Sequence, residues 1–123
     1  MTLCRALILG VDWPTALARA SEDRLPETRD ALSHAPADSL SKDGFAPQVL
    51  RAAVHFVGTS ESLADALTRS IKFAGPADYC PVLVGSIGGA RWGGNSVPAP
   101  LLALHLELLP RLHSVAARLA SRW

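Results

Sequence analysis

The segment that most constrains the fold of this 123-residue chain is a glycine-rich stretch at residues 74–93, AGPADYCPVLVGSIGGARWG. Gly85, Gly88 and Gly89 lie three and four residues apart, so in a helix they would share one face. Each glycine costs about 1 kcal/mol of helix propensity relative to alanine. A helix that keeps three of them is favoured where another backbone or a ligand approaches that face closely. We therefore predict a buried helix from about residue 78 to residue 92, with the rest of the chain packed around it.

The composition favours helices that pack against one another. Apolar residues make up 49% of the chain and aromatic residues 6%, with alanine and leucine prominent among them, which is typical of a packed helical protein and not of disorder. The length predicts one domain, residues 1–123. The predicted fold class is all-α, an orthogonal bundle of about six helices.

Cap and proline signals place the helices of the first half. Asp12 followed by Pro14 predicts a helix start, with the carboxylate as cap, and the helix would run to about Ser21. A second helix is predicted from Pro26 to His34. Residues 35–44 are polar and rich in turn residues, which predicts a mobile loop or linker. Residues 1–11 are apolar and fit either a short helix or a strand.

The second half has a clearer helical period. Two further helices are predicted between Pro47 and residue 74, the first ending at Gly58 and the second capped by Ser60. The second would bury Leu63, Leu67, Ile71 and Ala74. The last apolar pattern runs from Leu101 to Leu119, and Pro110 within it must kink or split the helix.

The charge pattern excludes some classes of partner. A net charge of +1 indicates neither a nucleic acid nor an anionic membrane as partner. The apolar run at residues 6–11 is too short to span a bilayer, and no signal-peptide cleavage site is evident. Cys4 and Cys80 have no metal-type spacing, so we expect two reduced thiols and a cytoplasmic location.

The glycine-rich stretch also carries a resemblance to a known family. Ala74 to Tyr79 stands where that family has Gly-Gly-Asp-x-Asp-Thr, and Gly85, Gly89-Ala90 and Gly93 fall in register with its later glycines. The pattern resembles the carboxyl-terminal motif of the ADP-ribosylglycohydrolases, which include the dinitrogenase reductase-activating glycohydrolases. We find the resemblance over residues 44–123, above all up to about residue 120, and only a weak match over residues 1–43.

The resemblance implies a magnesium-dependent hydrolytic removal of ADP-ribose from modified side chains. In that family an acidic cluster near the amino-terminal end of the domain and the Asp, Asp and Thr of the motif hold two magnesium ions. Here Pro76 stands at the first Asp position, Tyr79 at the Thr position, and only Asp78 remains. The acidic residues of 1–43 lack the spacing of the family's amino-terminal cluster. We therefore predict a degenerate metal site and no cofactor for this chain.

Each candidate site residue has a structural alternative. Asp78 is either the remaining magnesium ligand or the N-cap of the glycine-bearing helix. Gly75, Tyr79, Arg91 and Trp92 are candidate contacts for an ADP-ribose-like molecule, since guanidinium and aromatic planes stack on adenine or clamp phosphate. The alternative for the Arg91-Trp92 end is a helix C-cap at Gly93. Cys80 is a candidate nucleophile, because a position near the start of a helix can lower the pKa of a thiol. The alternative is that Cys80 only lines the site.

Two hypotheses follow. The first is the carboxyl-terminal portion of an ADP-ribosylglycohydrolase-like enzyme, inactive as this chain alone, with a partner chain or an upstream segment completing the site. The second is a non-catalytic pseudoenzyme or binding module for an ADP-ribose-like ligand or a protein. If the chain is the end of a longer bundle, as in the first hypothesis, the leucine stripe from Leu101 to Leu119 is expected to be exposed, which predicts a homodimer or marginal stability.

Overall fold

A computed structural model describes residues 2–33, 35–75 and 77–121 of the chain. These residues form eight α-helices, two short 3-10 helices and no strand, which confirms the all-α class. The α-helices are α1 (Thr2–Ile8), α2 (Trp13–Ser21), α3 (Pro26–Leu32), α4 (Ala46–Thr59), α5 (Leu63–Ala74), α6 (Tyr79–Trp92), α7 (Ala99–Ala103) and α8 (Leu109–Ala120); the 3-10 helices are Ala37–Ser39 and Gly94–Ser96.

Eight helices replace the predicted six for two reasons. The apolar amino-terminal segment, which fitted a helix or a strand, is the helix α1. The last apolar pattern is divided into α7 and α8 by a turn over residues 104–108, and Pro110 lies in the first turn of α8, where a missing N–H costs nothing. Within the described residues no helix is long and apolar enough to cross a membrane. The predicted end of α3 at His34 lies outside the described residues.

The helix caps agree with the sequence at α2 and differ at α5. The Asp12 carboxylate accepts a hydrogen bond from the Thr15 N–H at 3.1 Å, as predicted. The prediction that Ser60 caps α5 is wrong, because α4 runs to Thr59 and Ser62 takes the cap position, accepting from the Asp65 N–H at 3.2 Å. Ser60 is buried, and its hydroxyl accepts from the Arg69 guanidinium at 2.9 Å.

The glycine-bearing helix α6 lies at the centre of the bundle. It packs extensively against α4 and α5 and also against α1, while α3 covers α4 and α2 covers α1. Val84 of α6 and Val57 of α4 are fully buried, and Ile87 is nearly so. The prediction that the chain packs around this helix is therefore confirmed for α1 to α5, whereas α7 and α8 do not pack appreciably against another helix in the described part of the chain.

The face of α5 that enters the core differs by one residue from the predicted stripe. Leu63 and Ala74 are buried as expected, but Ile71 is 55% exposed and Ser70 is fully buried instead. The Ser70 hydroxyl donates to the Leu67 carbonyl at 2.9 Å, so the core contains a satisfied polar group at that position.

One of the three glycines of α6 lies where an added side chain would be crowded. A Cβ atom on Gly88 would lie 2.8 Å from Leu63 Cδ1 and 3.1 Å from Trp92 Cζ3. A Cβ on Gly85 would make an ordinary contact, 3.9 Å from Leu67 Cδ2, and one on Gly89 would meet nothing within 4 Å. The sequence predicts that another backbone or a ligand approaches the glycine face, whereas the close neighbours in the structure are side chains of α5 and of α6 itself, and they lie at Gly88 alone.

Candidate functional site

A cavity of about 400 Å³ opens where α4 and α6 begin, at the end of the chain reversal that follows α5. This volume is within the range of small-molecule sites. The cavity is lined by Gly44, Ala46, Val49, Asp78, Tyr79, Val82 and Leu83. Its walls are mainly apolar, and Asp78 and Tyr79 supply its polar side chains.

The backbone between α5 and α6 places Asp78 and Tyr79 at the cavity. Gly75 ends α5 with a positive φ of 61°, a conformation that L side chains rarely adopt, and its N–H donates to the Ile71 carbonyl at 3.1 Å. The Ala77 N–H then donates to the Ala74 carbonyl at 3.3 Å. Gly75 thus directs the chain toward the site and does not itself line the cavity. Pro76 lies outside the described residues.

Asp78 occupies the N-cap position of α6 but does not cap the helix with its side chain. Its backbone is helical, with φ −96° and ψ −7°, and no hydrogen bond joins its carboxylate to the first turn. A side-chain cap normally requires an extended backbone at this position. Asp78 therefore lies at the N-cap position, as the alternative interpretation predicts, but its side chain does not make the capping hydrogen bond. The carboxylate is exposed at the cavity wall.

Tyr79 is 61% exposed and lies beside the loop that precedes α4. A Cβ on Gly44 would make an ordinary contact with the ring, 3.5 Å from Tyr79 Cε2, so the ring edge lies next to the loop at Gly44. The next residue, Cys80, is buried. Burial raises the pKa of the Cys80 thiol to about 11, so the predicted lowering of this pKa is wrong.

The oxygen ligands at the cavity do not fit a pair of magnesium ions. Asp78 is the one carboxylate that lines it. Asp43 lies near Tyr79 in an adjoining depression, but its Oδ1 accepts from the Phe45 N–H at 3.0 Å. No group of three or more His, Cys, Asp or Glu side chains able to hold a metal ion occurs among the described residues. Magnesium requires near-octahedral oxygen coordination, and a pair requires shared carboxylates.

Arg91 and Trp92 lie at the opposite end of α6 from this cavity. Arg91 follows Tyr79 by twelve residues, which corresponds to about 18 Å along the helix axis. Its guanidinium lies 4.9 Å from the ring centroids of both Trp13 and Trp92, and it donates a hydrogen bond to the Val57 carbonyl. The structure therefore does not bring Arg91 and Trp92 together with Asp78 and Tyr79.

The C-cap alternative for this end of α6 is confirmed. Gly93 has a φ of 81°, and its N–H donates to the Gly89 carbonyl at 2.9 Å. Burial lowers the pKa of the Arg91 guanidinium, which remains a cation. The engagement of both tryptophan rings with Arg91 explains this cluster without a ligand.

Sequence reasoning missed most of the cavity lining. Gly44 and Ala46 belong to a segment predicted as linker and helix start, while Val49, Val82 and Leu83 look like ordinary core positions of two helices. The available signal was the upstream run from Gly44 that resembles the segment leading into the family motif. The juxtaposition of α4 and α6 that turns these residues into a wall is tertiary and has no local signature.

These observations define an all-α protein whose central glycine-bearing helix begins at a ligand-sized cavity. A family model described as ADP-ribosylglycohydrolase matches residues 1–123, and the chain belongs to that family. The match includes residues 1–43, for which the sequence shows only a weak resemblance, and the single domain over residues 1–123 stays a prediction. Searches of curated proteins and of solved structures returned no match.

Proposed function

We propose that this chain is an ADP-ribosylglycohydrolase-like domain that does not hydrolyse ADP-ribosyl bonds by itself. The observation that carries the proposal is the composition of the cavity at the start of α6, where Asp78 is the single carboxylate. The family reaction uses two magnesium ions, and one carboxylate beside a phenol is too few ligands for them. The remaining ligands would have to come from another polypeptide or from residues outside this sequence.

The alternative function is a non-catalytic binding module. The cavity volume of about 400 Å³ and the exposed Tyr79 ring favour it, since an aromatic face and apolar walls can hold a base or a ribose without turnover. Under this alternative Tyr79 and Asp78 contact an ADP-ribose-like molecule, and Gly75 positions them. Arg91 and Trp92 would contact the ligand only if it displaced the contacts that these two residues make with each other.

Hydrolysis is tested directly with the purified chain. An ADP-ribosylated protein is incubated with the chain and magnesium chloride, and free ADP-ribose is measured by chromatography. We expect no release above the rate without the chain. Magnesium-dependent release by the chain alone would contradict the proposal.

A double substitution tests the reason for inactivity. Pro76→Asp with Tyr79→Thr restores the residue types of the family motif, and we expect this variant to remain inactive because the other ligands are still missing. Calorimetry with magnesium chloride should show no heat of binding for the original chain. Activity gained by the double variant would mean that this chain supplies the rest of the site.

The binding alternative is tested by filling the cavity. Val82 lines it and is 63% exposed, so Val82→Trp should block the cavity without disturbing the core. If ADP-ribose raises the melting temperature of the chain, Val82→Trp should remove the shift. Val115→Trp is the matched control, since Val115 is 52% exposed on α8, away from the cavity. No shift with ADP-ribose, or an equal shift in Val82→Trp, would reject the binding module at this cavity.

We also propose a cytoplasmic location. Both cysteines of the chain are free thiols in the structure, and a small protein of an oxidising compartment commonly pairs its cysteines.

A further inference from the structure

The carboxyl-terminal helices present an apolar surface that the bundle does not cover. Neither α7 nor α8 packs appreciably against another helix among the described residues. Among the large apolar side chains of residues 99–120, Leu102 and Leu109 are half-buried, whereas the others are 43% to 70% exposed. These exposed residues are Leu101, Leu104, Leu106, Leu108, Leu112, Val115 and Leu119. A surface of this kind marks an interaction site.

Along α8 the apolar residues have the spacing of a helix-pairing seam. Leu108, Leu112, Val115 and Leu119 follow one another at steps of four, three and four residues. This 3.5-residue period keeps a stripe aligned with a second helix that packs knobs into holes. We call these four residues the α8 seam. Their geometry favours a helix as the occupant over an extended peptide or a flat surface.

The charges beside the α8 seam indicate what kind of helix fits. Arg111 and Arg118 lie seven residues apart, so they form a row along one edge of the seam, separated by about 10 Å. Neither is in an ion pair with a described residue. Residues 108–121 contain no acidic side chain, and Glu107, in the turn before α8, forms no ion pair with either arginine. The helix itself therefore does not complement this row. The complement is a helix with carboxylates at the same heptad spacing.

Two other occupants fit the charges less well. A second copy of α8 brings another arginine row and no carboxylate, and antiparallel pairing would set the two rows against each other. An anionic membrane favours basic residues across the polar face and aromatic anchors at its edge. Residues 99–121 contain none of Phe, Tyr and Trp, and Trp123 is the single such residue after α7 begins. Arg111 and Arg118 lie along one edge of the seam, and residues 109–117 contain no other arginine or lysine that would spread the positive charge across the polar face.

We propose that the α8 seam, with Arg111 and Arg118, is a docking site for an amphipathic helix of a partner protein that carries a row of Glu or Asp beside its apolar stripe. The site is independent of the cavity at the start of α6, and its test does not depend on any reaction of the chain.

Two synthetic probes test the proposal with the full chain. The acidic probe is a 21-residue peptide of three heptads with Leu at the a and d positions and Glu at e and g. The basic probe has Lys at e and g. Like charges keep each peptide from pairing with itself. By fluorescence anisotropy at low salt we expect the acidic probe to bind at least tenfold more tightly than the basic one. Raising the salt concentration should weaken its binding.

A charge-reversal variant tests whether the arginine row, and not the net charge of the chain, selects the acidic probe. In the double variant Arg111→Glu with Arg118→Glu, the preference should invert so that the basic probe binds more tightly. Arg19→Glu with Arg29→Glu changes the net charge equally at exposed sites on α2 and α3 and should leave the preference unchanged. Leu112→Ser with Val115→Ser should remove binding of both probes. Circular dichroism checks that each variant remains folded.

Several results would overturn the proposal. Equal binding of the two probes, or no binding of either, would exclude an acidic helix as the occupant. A stable dimer by sedimentation that is lost in Leu112→Ser with Val115→Ser and excludes the acidic probe would assign the α8 seam to a second copy, as the leucine stripe first predicts. Binding of phosphatidylserine vesicles without binding of the acidic probe would assign it to a membrane.

Discussion

Arg91 lies between the rings of Trp13 and Trp92 and donates to the carbonyl of Val57, so a single side chain joins α6 to α2 and α4. Trp13 reaches this position because Gly58 leaves room for it, and a Cβ on Gly58 would be 3.1 Å from Trp13 Nε1. A guanidinium suits the site because its flat faces stack on aromatic rings while its edge still donates hydrogen bonds.

Replacing Arg91 with alanine should lower the free energy of unfolding by about 2 kcal/mol, because two cation–π contacts and a charged hydrogen bond are lost. Arg91→Lys should recover only part of this loss, since an ammonium group cannot stack on two rings at once. Urea denaturation followed by tryptophan fluorescence measures both. Arg111→Ala, at an exposed site, is the control and should change the value by less than about 0.5 kcal/mol. Equal effects at the two positions would contradict the structural role of Arg91.

At the scale of the element, the packing of α5 on α6 depends on Gly88. The Leu63 side chain, 3% exposed, occupies the space where a Cβ of residue 88 would project, and the Trp92 ring closes the other side. Gly89 is the natural comparison because its Cβ would meet nothing within 4 Å. The two glycines are adjacent in one helix but differ in what surrounds them.

We expect Gly88→Ala to be destabilising and Gly89→Ala to be neutral or stabilising. Alanine gains about 1 kcal/mol of helix propensity at either site, whereas overpacking at Gly88 costs about 1–3 kcal/mol. Thermal melts of the two variants, followed by circular dichroism, should place Gly88→Ala below Gly89→Ala. A reversed order would mean that Leu63 and Trp92 move aside at little cost.

The N-cap of α2 makes the stability of the folded protein depend on pH. Hydrogen bonds with Thr15 hold the pKa of the Asp12 carboxyl below its usual value of 3.8. A lowered pKa in the folded state means that the stabilisation is present above pH 4 and is lost as the pH falls through the folded-state value.

Asp12→Ala should therefore lower the melting temperature at pH 7. The difference in melting temperature between this variant and the original chain should become smaller as the pH is reduced below about 4. Melting curves from pH 7 to pH 2.5 measure the difference. Asp38→Ala is the control, because the Asp38 carboxylate accepts no hydrogen bond from the described residues. A difference for Asp12→Ala that does not change with pH would exclude the charged cap as its cause.

At the scale of the whole molecule, the core lies within α1 to α6, and the carboxyl-terminal helices contribute little to it. The buried cluster draws on all six of the earlier helices and contains no residue of α7 or α8. The consequence is a bundle with one outlying apolar surface, the α8 seam.

Two matched substitutions test this division. Val84→Ala, at a fully buried position of α6, should lower the free energy of unfolding by about 2 kcal/mol through lost burial and a residual cavity. Val115→Ala, at a 52% exposed position of α8, should change it by less than about 0.5 kcal/mol. Chemical denaturation of both variants measures the contrast. A large effect of Val115→Ala would show that α8 packs against the chain or against another copy in solution.

Much of the local structure was predictable because its causes are local. Asp12, Pro26 and Gly93 mark helix ends through bonds and backbone angles that involve neighbouring residues alone. The burial of Ser70 in place of Ile71 was not, because the choice between adjacent helix faces depends on where α6 lies. The helical backbone of Asp78 was not predictable from the sequence either, because it follows the chain reversal at Gly75.

Residue period and backbone preference act over a few positions, so the amino-acid sequence was enough to predict the all-α class, the central helix and its terminal glycine cap. The proposal that metal-ligand residue types are missing from the motif also rests on the sequence, because residue identity is independent of folding. The position of the cavity between the starts of α4 and α6, and the contact between Arg91 and Trp13, became apparent only from the folded structure. Those contacts join residues tens of positions apart, and their geometry depends on how whole helices pack.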